Sequence, residues 1–138
     1  MIAYVDSSVV LRLVLGQPGA LAEWRELDAG VASALAEVEC LRTLDRLRLV
    51  QGLPEAEVAR RRAAVFDVLE TVEVVEPTRP ILTRAAQPLP VTLGTLDAIH
   101  LATALVWREV SQRDVVLATH DARLALAARA VGFDTIGV

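Results

Sequence analysis

Short apolar runs typical of buried strands alternate with longer segments of helical spacing along the whole chain. Five such runs are rich in Val, Ile and Ala, and Ser, Asp, Gly or Pro residues punctuate the segments between them. Strands buried on both faces have continuous apolar sequences, so this alternation predicts a mostly parallel central sheet covered by helices on both sides. The sequence therefore indicates a three-layer α/β/α protein with a single domain over residues 1–138.

The expected elements follow from apolar periodicity and from capping residues. Strands are predicted at residues 2–5, 31–32, 72–75, 115–118 and 133–136. Helices are predicted at residues 7–15, 20–27, 33–50, 54–69, 78–86, 95–110 and 121–131. Ser7 or Ser8 is the expected cap of the first helix, and Ser33 of the third. Ligands of open parallel sheets lie outside the carboxyl ends of the strands, where strand order reverses, so the chemistry is expected there.

Composition excludes several functional classes. All 14 basic residues are Arg, and the 18 acidic residues leave a formal net charge of −4. A P-loop and a response-regulator receiver site both depend on a Lys ammonium, so neither is possible. An acidic chain is a poor general binder of nucleic acid, although acids confined to a metal site would leave room for a basic rim.

The location and assembly of the protein are also predicted from composition. The single cysteine, Cys40, rules out an internal disulfide and a Cys-rich zinc site. Neither a signal peptide nor a run of about 18 apolar residues is present. We therefore expect a cytoplasmic protein with no membrane partner. A mean hydropathy of +0.43 predicts a subunit or partner interface.

Two carboxylates lie where the strand-end rule points, and a third is singled out by its apolar surroundings. Asp6 ends the first predicted strand and Asp121 follows the fourth, although each is also a plausible helix N-cap. Asp97 has mostly apolar neighbours in LGTLDAIHLATAL. A helix dipole favours a carboxylate by only about 0.3–1 kcal/mol, far less than the penalty of burying an unpaired charge, so a cation should face Asp97.

A fourth candidate is one of two glutamates in SALAEVECLR. Glu37 and Glu39 are two residues apart and project about 200° apart around a helix, so only one of them can face a given site. Periodicity alone does not choose between them. If such carboxylates converge, hard oxygen ligands without Cys favour Mg²⁺ or Mn²⁺, and such ions suit phosphodiester hydrolysis by an activated water.

Four segments, in order and spacing, carry a family resemblance. They are YVDSSV at Asp6, SALAEVECLR at Glu39, LGTLDAIHLATA at Asp97 and ATHDARL at Asp121. Together they resemble the PIN-domain family, and within it the VapC-type toxins of bacterial toxin–antitoxin pairs, over essentially the whole chain. Some nucleases of the wider family have a further acid where this chain has Arg123, which leaves the second metal position open.

The resemblance implies a Mg²⁺-dependent single-strand endoribonuclease that forms a homodimer and is inhibited by a cognate antitoxin. It places the catalytic and metal-binding acids on Asp6, Glu39, Asp97 and Asp121, and so prefers Glu39 to Glu37. It also implies supporting roles for Ser7 and for the Thr119 hydroxyl. A catalytically inert PIN-like subunit that holds an antitoxin or RNA is the alternative. A phosphatase of the haloacid dehalogenase type is disfavoured, because Ser8 stands where its second Asp belongs.

Three features remain open at this level. His100 lies on the helical face of Asp97, and a structural role is favoured over a bond to a site carboxylate or a substrate phosphate. Arg42 is equally suited to pair with Glu39 or to contact RNA as a supporting residue. The run Arg60–Arg62 is more typical of a solvated helix face than of an RNA track.

Overall fold

Five parallel strands form the centre of the protein, in the spatial order β3-β2-β1-β4-β5. The computed structural model describes residues 1–138. Its strands are β1 (Ile2–Val5), β2 (Ala29–Ser33), β3 (Glu73–Val75), β4 (Val116–Ala118) and β5 (Thr135–Ile136). Every neighbouring pair is parallel, which confirms the predicted sheet.

Six α-helices cover the two faces of this sheet. They are α1 (Ser7–Leu15), α2 (Leu35–Gln51), α3 (Glu55–Glu70), α4 (Arg79–Ala85), α5 (Thr95–Ser111) and α6 (Ala122–Ala130). Helices α1, α2 and α3 pack with Ala3 and Val5 in one apolar core. Helices α5 and α6 pack with Tyr4 and Leu117 in a second core, and α4 packs against α5. The predicted three-layer architecture is confirmed.

Several predicted element boundaries were wrong, for local reasons. The N-cap of α1 is Asp6 rather than Ser7 or Ser8, because the Asp6 side chain accepts a hydrogen bond from the Val9 amide. Ser33 is the last residue of β2, and Ala34 takes the cap position of α2 in its place. The Ala34 amide donates to the Val75 carbonyl at 2.9 Å, which keeps the chain bound to β3 up to the start of the helix.

Two further segments are shorter than predicted. The helix expected over residues 20–27 is a 3-10 helix at Ala22–Glu26. The last strand begins at Thr135, because the amide of Phe133 donates to the Ala128 carbonyl at the end of α6 and its ring fills the second core. The longest helices have 17 residues, and no helix combines the length and apolar character that a membrane crossing requires.

The sheet has one reversal of strand order, between β1 and β4. From β1 the chain adds β2 and β3 on one side, and then crosses to add β4 and β5 on the other. Val5 and Ala118 are register partners at the carboxyl ends of β1 and β4, and the Asp6 amide donates to the Ala118 carbonyl at 3.3 Å. The residues that follow these two strands are therefore brought together where a ligand site is expected.

Candidate active site

Asp6 lies at the end of the central strand and is almost completely buried, with 4% of its surface exposed. One carboxylate oxygen accepts from the Ser8 hydroxyl at 2.5 Å and from the Val9 amide at 3.2 Å. The other accepts from the Thr119 hydroxyl at 2.6 Å. These three bonds hold the carboxylate in one orientation. Asp6 is therefore both the cap of α1 and a fixed carboxylate at the switch point.

Thr119 and Ser8 join the ends of β1 and β4 through their hydroxyl groups. The Thr119 hydroxyl oxygen accepts from the Asp121 amide at 3.0 Å while its hydrogen goes to Asp6. Likewise, the Ser8 hydroxyl accepts from the His120 amide at 2.9 Å and donates to Asp6. The loop that carries Asp121 is thus tied directly to the carboxylate of Asp6.

Asp121 is an exposed N-cap of α6. Its Oδ1 atom accepts from the amides of Arg123 and Leu124, at 2.8 and 2.9 Å. Its second carboxylate oxygen takes no part in this cap. Asp121 can therefore begin the helix and still present an oxygen to the pocket, so the capping and functional interpretations are compatible.

Asp97 lies in the first turn of α5 and is half-buried. Desolvation raises the pKa of its carboxyl group, and the charge of Asp121 raises that pKa further, as do the charges of Asp6 and Glu39. His100 acts in the opposite direction. The cationic partner expected from the sequence is not an arginine, because none of the ion pairs in the protein includes Asp97.

Glu39 reaches the pocket from α2 on the other side of the sheet. Its Oε1 atom lies 2.5 Å from Nε2 of His100 in α5. Glu37 forms no ion pair. The Glu39–His100 contact joins the two helical layers and places the Glu39 carboxylate near Asp97.

Three of the acids lie near enough to Asp97 for their charges to act on it, but the four do not form a ready-made metal site. The charges of the other three carboxylates all act on Asp97, and arginine neutralises none of the four. As the side chains stand, no three His, Cys, Asp or Glu residues are placed to hold a metal ion. The donor set nevertheless fits a hard divalent cation by its chemistry, because carboxylate oxygens are the ligands such ions prefer and a cation would relieve the mutual repulsion.

The predicted supporting residues behave differently from one another. Thr119 contacts Asp6 through its hydroxyl, and the support for a metal site that the resemblance implies for it stays a prediction. The serine that does so is Ser8, and no hydrogen bond of the Ser7 side chain supports the role predicted for Ser7. Arg42 is exposed and does not pair with Glu39, so the interpretation of Arg42 as an ion-pair partner of Glu39 is excluded. Contact with RNA stays a prediction.

The arginine run on α3 is mostly engaged within its own helix. Arg60 and Arg61 both pair with Glu57, one turn away. This arrangement agrees with the solvated helix face that the sequence favoured.

Site roles for Ser8 and Tyr4 were not predicted from the sequence. A signal for Tyr4 was present, because it lies two residues before Asp6 on the strand that Asp6 follows. For His100, the structure shows the less favoured interpretation, a bond to a site carboxylate. Nothing in the sequence indicated that this carboxylate would be Glu39, which is 61 positions away.

Comparison with known proteins places this geometry in a family. The PIN domain model matches residues 3–130. The chain therefore belongs to the PIN domain family. Two relatives from Mycobacterium tuberculosis are Ribonuclease VapC46, 36% identical over 96% of this chain and 95% of the relative, and Ribonuclease VapC47, 31% identical over 96% and 93%.

Solved structures share the fold. A chain of a toxin–antitoxin complex from Klebsiella pneumoniae has a TM-score of 0.68 at 18% identity, over 93% of both chains. Mycobacterium tuberculosis VapC20, described as a sarcin-ricin loop cleaving toxin, has a TM-score of 0.63 at 19% identity, over 100% of this chain and 98% of the other. At such identities the similarity establishes the architecture.

Proposed function

We propose that this protein is a Mg²⁺-dependent endoribonuclease that hydrolyses phosphodiester bonds of single-stranded RNA and acts as the toxin of a toxin–antitoxin pair. The observation that carries the proposal is a group of four carboxylates at the switch point, coupled by charge and without arginine partners. Relatives named ribonucleases, aligned over almost the whole chain, support RNA as the substrate.

The four acids would have different roles in the site, because their side chains are held to different extents. Asp6 is fixed by three hydrogen bonds, so it provides a rigid reference point. Asp97, Glu39 and the uncapped oxygen of Asp121 would complete an oxygen donor set for Mg²⁺, with Mn²⁺ as a substitute. The bound ion would supply a water of lowered pKa and charge stabilisation for phosphodiester cleavage.

A cleft beside the acids is suited to part of an RNA strand. It has a volume of about 340 Å³ and extends from the switch point along α1. Its polar lining consists of Ser8, Arg12, Gln17, Thr43, His120 and Asp121. Arg12 gives this cleft a positive charge next to the acidic pocket, an arrangement that suits a phosphate adjacent to the one being cleaved.

The test is cleavage of single-stranded RNA by the purified protein in Mg²⁺. Asp97→Asn should retain the fold and lower the cleavage rate at least about 100-fold, because a metal site supplies several kcal/mol of transition-state stabilisation. EDTA should abolish cleavage. Asp67→Asn is the matched control, since Asp67 is exposed on α3 and forms no ion pair.

The inert binding subunit is the competing function. Cleavage that is absent in the wild type with Mg²⁺ and Mn²⁺, together with retained binding of RNA, would favour it. Cleavage that persists in EDTA or in Asp97→Asn would overturn the metal mechanism. The carboxylates favour the nuclease, because an inert subunit has no use for an uncompensated charge cluster that lowers its stability.

The proposal includes a cytoplasmic location, a cognate antitoxin and a homodimer. The Klebsiella neighbour, a toxin–antitoxin complex, supports a partner protein. An apolar groove between α4 and α5 supports assembly, since Leu82 in its lining is 40% exposed. Sedimentation equilibrium tests the dimer, and a molar mass of about 15 kDa, that of the single chain, at micromolar concentration would contradict it.

A further inference from the structure

His100 is buried in the protein and uses both ring nitrogens. Only 1% of its surface is exposed. Its Nδ1 atom lies 2.7 Å from the Tyr4 hydroxyl, and its Nε2 atom lies 2.5 Å from the Glu39 carboxylate. The three residues belong to β1, α5 and α2, so one imidazole connects the central strand and both helical layers.

The direction of these hydrogen bonds follows from the chemistry of the partners. A carboxylate only accepts, so the hydrogen between His100 and Glu39 is on Nε2. Tyr4 is completely buried, and a tyrosine hydroxyl carries its proton at neutral pH because its ordinary pKa is about 10. The tyrosine therefore keeps its proton and can donate it to Nδ1. The donors run from Tyr4 to His100 to Glu39.

Glu39 needs such a partner to stay in the pocket. Its side chain is about one-fifth exposed and has three rotatable bonds, and Arg42 on the next turn does not contact it. Repulsion from Asp97 and Asp6 would drive an unrestrained Glu39 carboxylate towards solvent. The Nε2–H group of His100 is the one hydrogen-bond donor that reaches it.

We propose that His100, anchored by Tyr4, is a positioning residue that holds the Glu39 carboxylate in place for the divalent cation. The inference rests on the proposed function and extends it to a residue outside the acidic set. A polar core residue without this role would affect stability alone. A positioning residue would also affect cation affinity and the order of the Glu39 side chain.

The main experiment compares His100→Leu with His100→Gln, whose amide N–H can replace the Nε2 donor. The dissociation constant of Mn²⁺ is measured by calorimetry, and kcat and KM are measured with single-stranded RNA. His100→Leu should weaken Mn²⁺ binding and lower kcat by about 10- to 100-fold, as for other partners that orient a metal ligand, with little change in KM. His100→Gln should recover most of both losses.

Two further variants test the Tyr4–His100 and His100–Glu39 hydrogen bonds separately. Tyr4→Phe removes only the anchor hydroxyl, and should give a smaller loss of Mn²⁺ affinity than His100→Leu. In the double variant His100→Leu with Glu39→Gln, the loss should equal that of Glu39→Gln alone, because both residues act through one carboxylate. Glu37→Gln is the matched control on α2 and should leave Mn²⁺ affinity unchanged.

A readout without metal separates failure of this inference from failure of the proposed function. Side-chain carbon relaxation of Glu39 in the metal-free protein should show an ordered carboxylate in the wild type and in His100→Gln, and a mobile one in His100→Leu. If Glu39 remains ordered in His100→Leu, or if Mn²⁺ affinity is unchanged while the melting temperature falls, His100 is purely structural. A wild type that neither binds Mn²⁺ nor cleaves RNA overturns the proposed function, and Glu39 order still decides this inference.

Discussion

At the scale of single residues, the acids of this site perform structural and functional tasks together. Asp6 and Asp121 are both N-caps, of α1 and α6 respectively, and their capping bonds orient the carboxylates at the switch point. Asp97 differs from them, because it caps no helix and no arginine faces it. Asp97 forms no ion pair, so its negative charge is the one among these acids that we expect to lower the free energy of unfolding most.

Asp97→Asn should stabilise the metal-free protein at pH 7. Because burial and neighbouring carboxylates raise the pKa of Asp97 in the folded state, the folded protein binds this proton more tightly than the unfolded chain does. Wild-type stability from this group is fully present below the unfolded pKa and is lost as pH rises through the folded pKa. The neutral Asn avoids that loss, and the gain should be up to about 1 kcal/mol, since a half-buried charge is partly screened by water.

Urea denaturation in EDTA at pH 7 and below the ordinary Asp pKa measures this difference. The advantage of Asp97→Asn should vanish at the lower pH, where the wild-type carboxyl is also neutral. If Asp97→Asn is less stable than the wild type at pH 7 without metal, the charge of Asp97 does not destabilise the metal-free protein and the prediction is wrong.

Thr119→Val should destabilise the protein by about 1–3 kcal/mol, because the Asp6 carboxylate loses a donor and the Asp121 amide loses an acceptor in a buried position. Thr71→Val is the control. It removes an exposed hydroxyl that donates to the Val68 carbonyl, and should change the free energy of unfolding by less than about 0.5 kcal/mol. Equal effects in the two variants would show that the Thr119 network is not what holds the switch point. Chemical denaturation provides both values.

At the scale of secondary-structure elements, close packing against the segment that precedes β3 restricts which residue β2 can have at position 30. Gly30 in β2 lies against Val72, just before β3, and a Cβ at Gly30 would be 2.6 Å from a Val72 methyl carbon. Such a distance is too short for any real contact, so the strand requires a residue without a side chain at this position.

Gly30→Ala should therefore lower the free energy of unfolding by about 1–3 kcal/mol through overpacking. Val72→Ala removes the obstructing methyl carbon, so the double variant should be clearly less destabilised than the sum of the two single variants. Thermal or urea unfolding of all four proteins completes the cycle. Additive losses of stability would show that contact with Val72 is not what requires a glycine at position 30.

At the scale of the whole molecule, a topology in which β1 is central gathers distant residues. Asp6, Glu39, Asp97 and Asp121 come from four places along the chain. Because β1 and β4 are neighbours in the sheet, the fold brings the other three near enough for their charges to act on Asp97. The charge conflict among these acids is therefore a property of the folded state, and it should couple cation binding to folding.

Mn²⁺ should raise the stability of the wild type by about 2.7 kcal/mol when its concentration is 100 times the dissociation constant. Asp97→Asn should lose most of this gain, so the order of stability of the two proteins should reverse between EDTA and saturating Mn²⁺. Differential scanning calorimetry across a Mn²⁺ titration measures the crossing. A melting temperature that does not respond to Mn²⁺ in the wild type would contradict a cation site.

The fold class could be predicted from the sequence because buried parallel strands and their covering helices have different apolar periodicities over short distances. The same local information identified Asp6 and Asp121 at strand ends and marked Asp97 as a carboxylate in apolar surroundings. The location of three of the acids followed, while their metal-binding and catalytic roles remain predictions.

The tertiary structure decided what depends on partners far away in sequence. It paired Glu39, and not Glu37, with a buried histidine, whereas helical periodicity only showed that the two glutamates diverge. In the folded protein Ser8, and not Ser7, donates a hydrogen bond to Asp6, and Arg42 forms no ion pair with Glu39. Each of these contacts depends on where a helix or strand from another part of the chain packs. Local sequence patterns contain no information about the position of an element so far away along the chain.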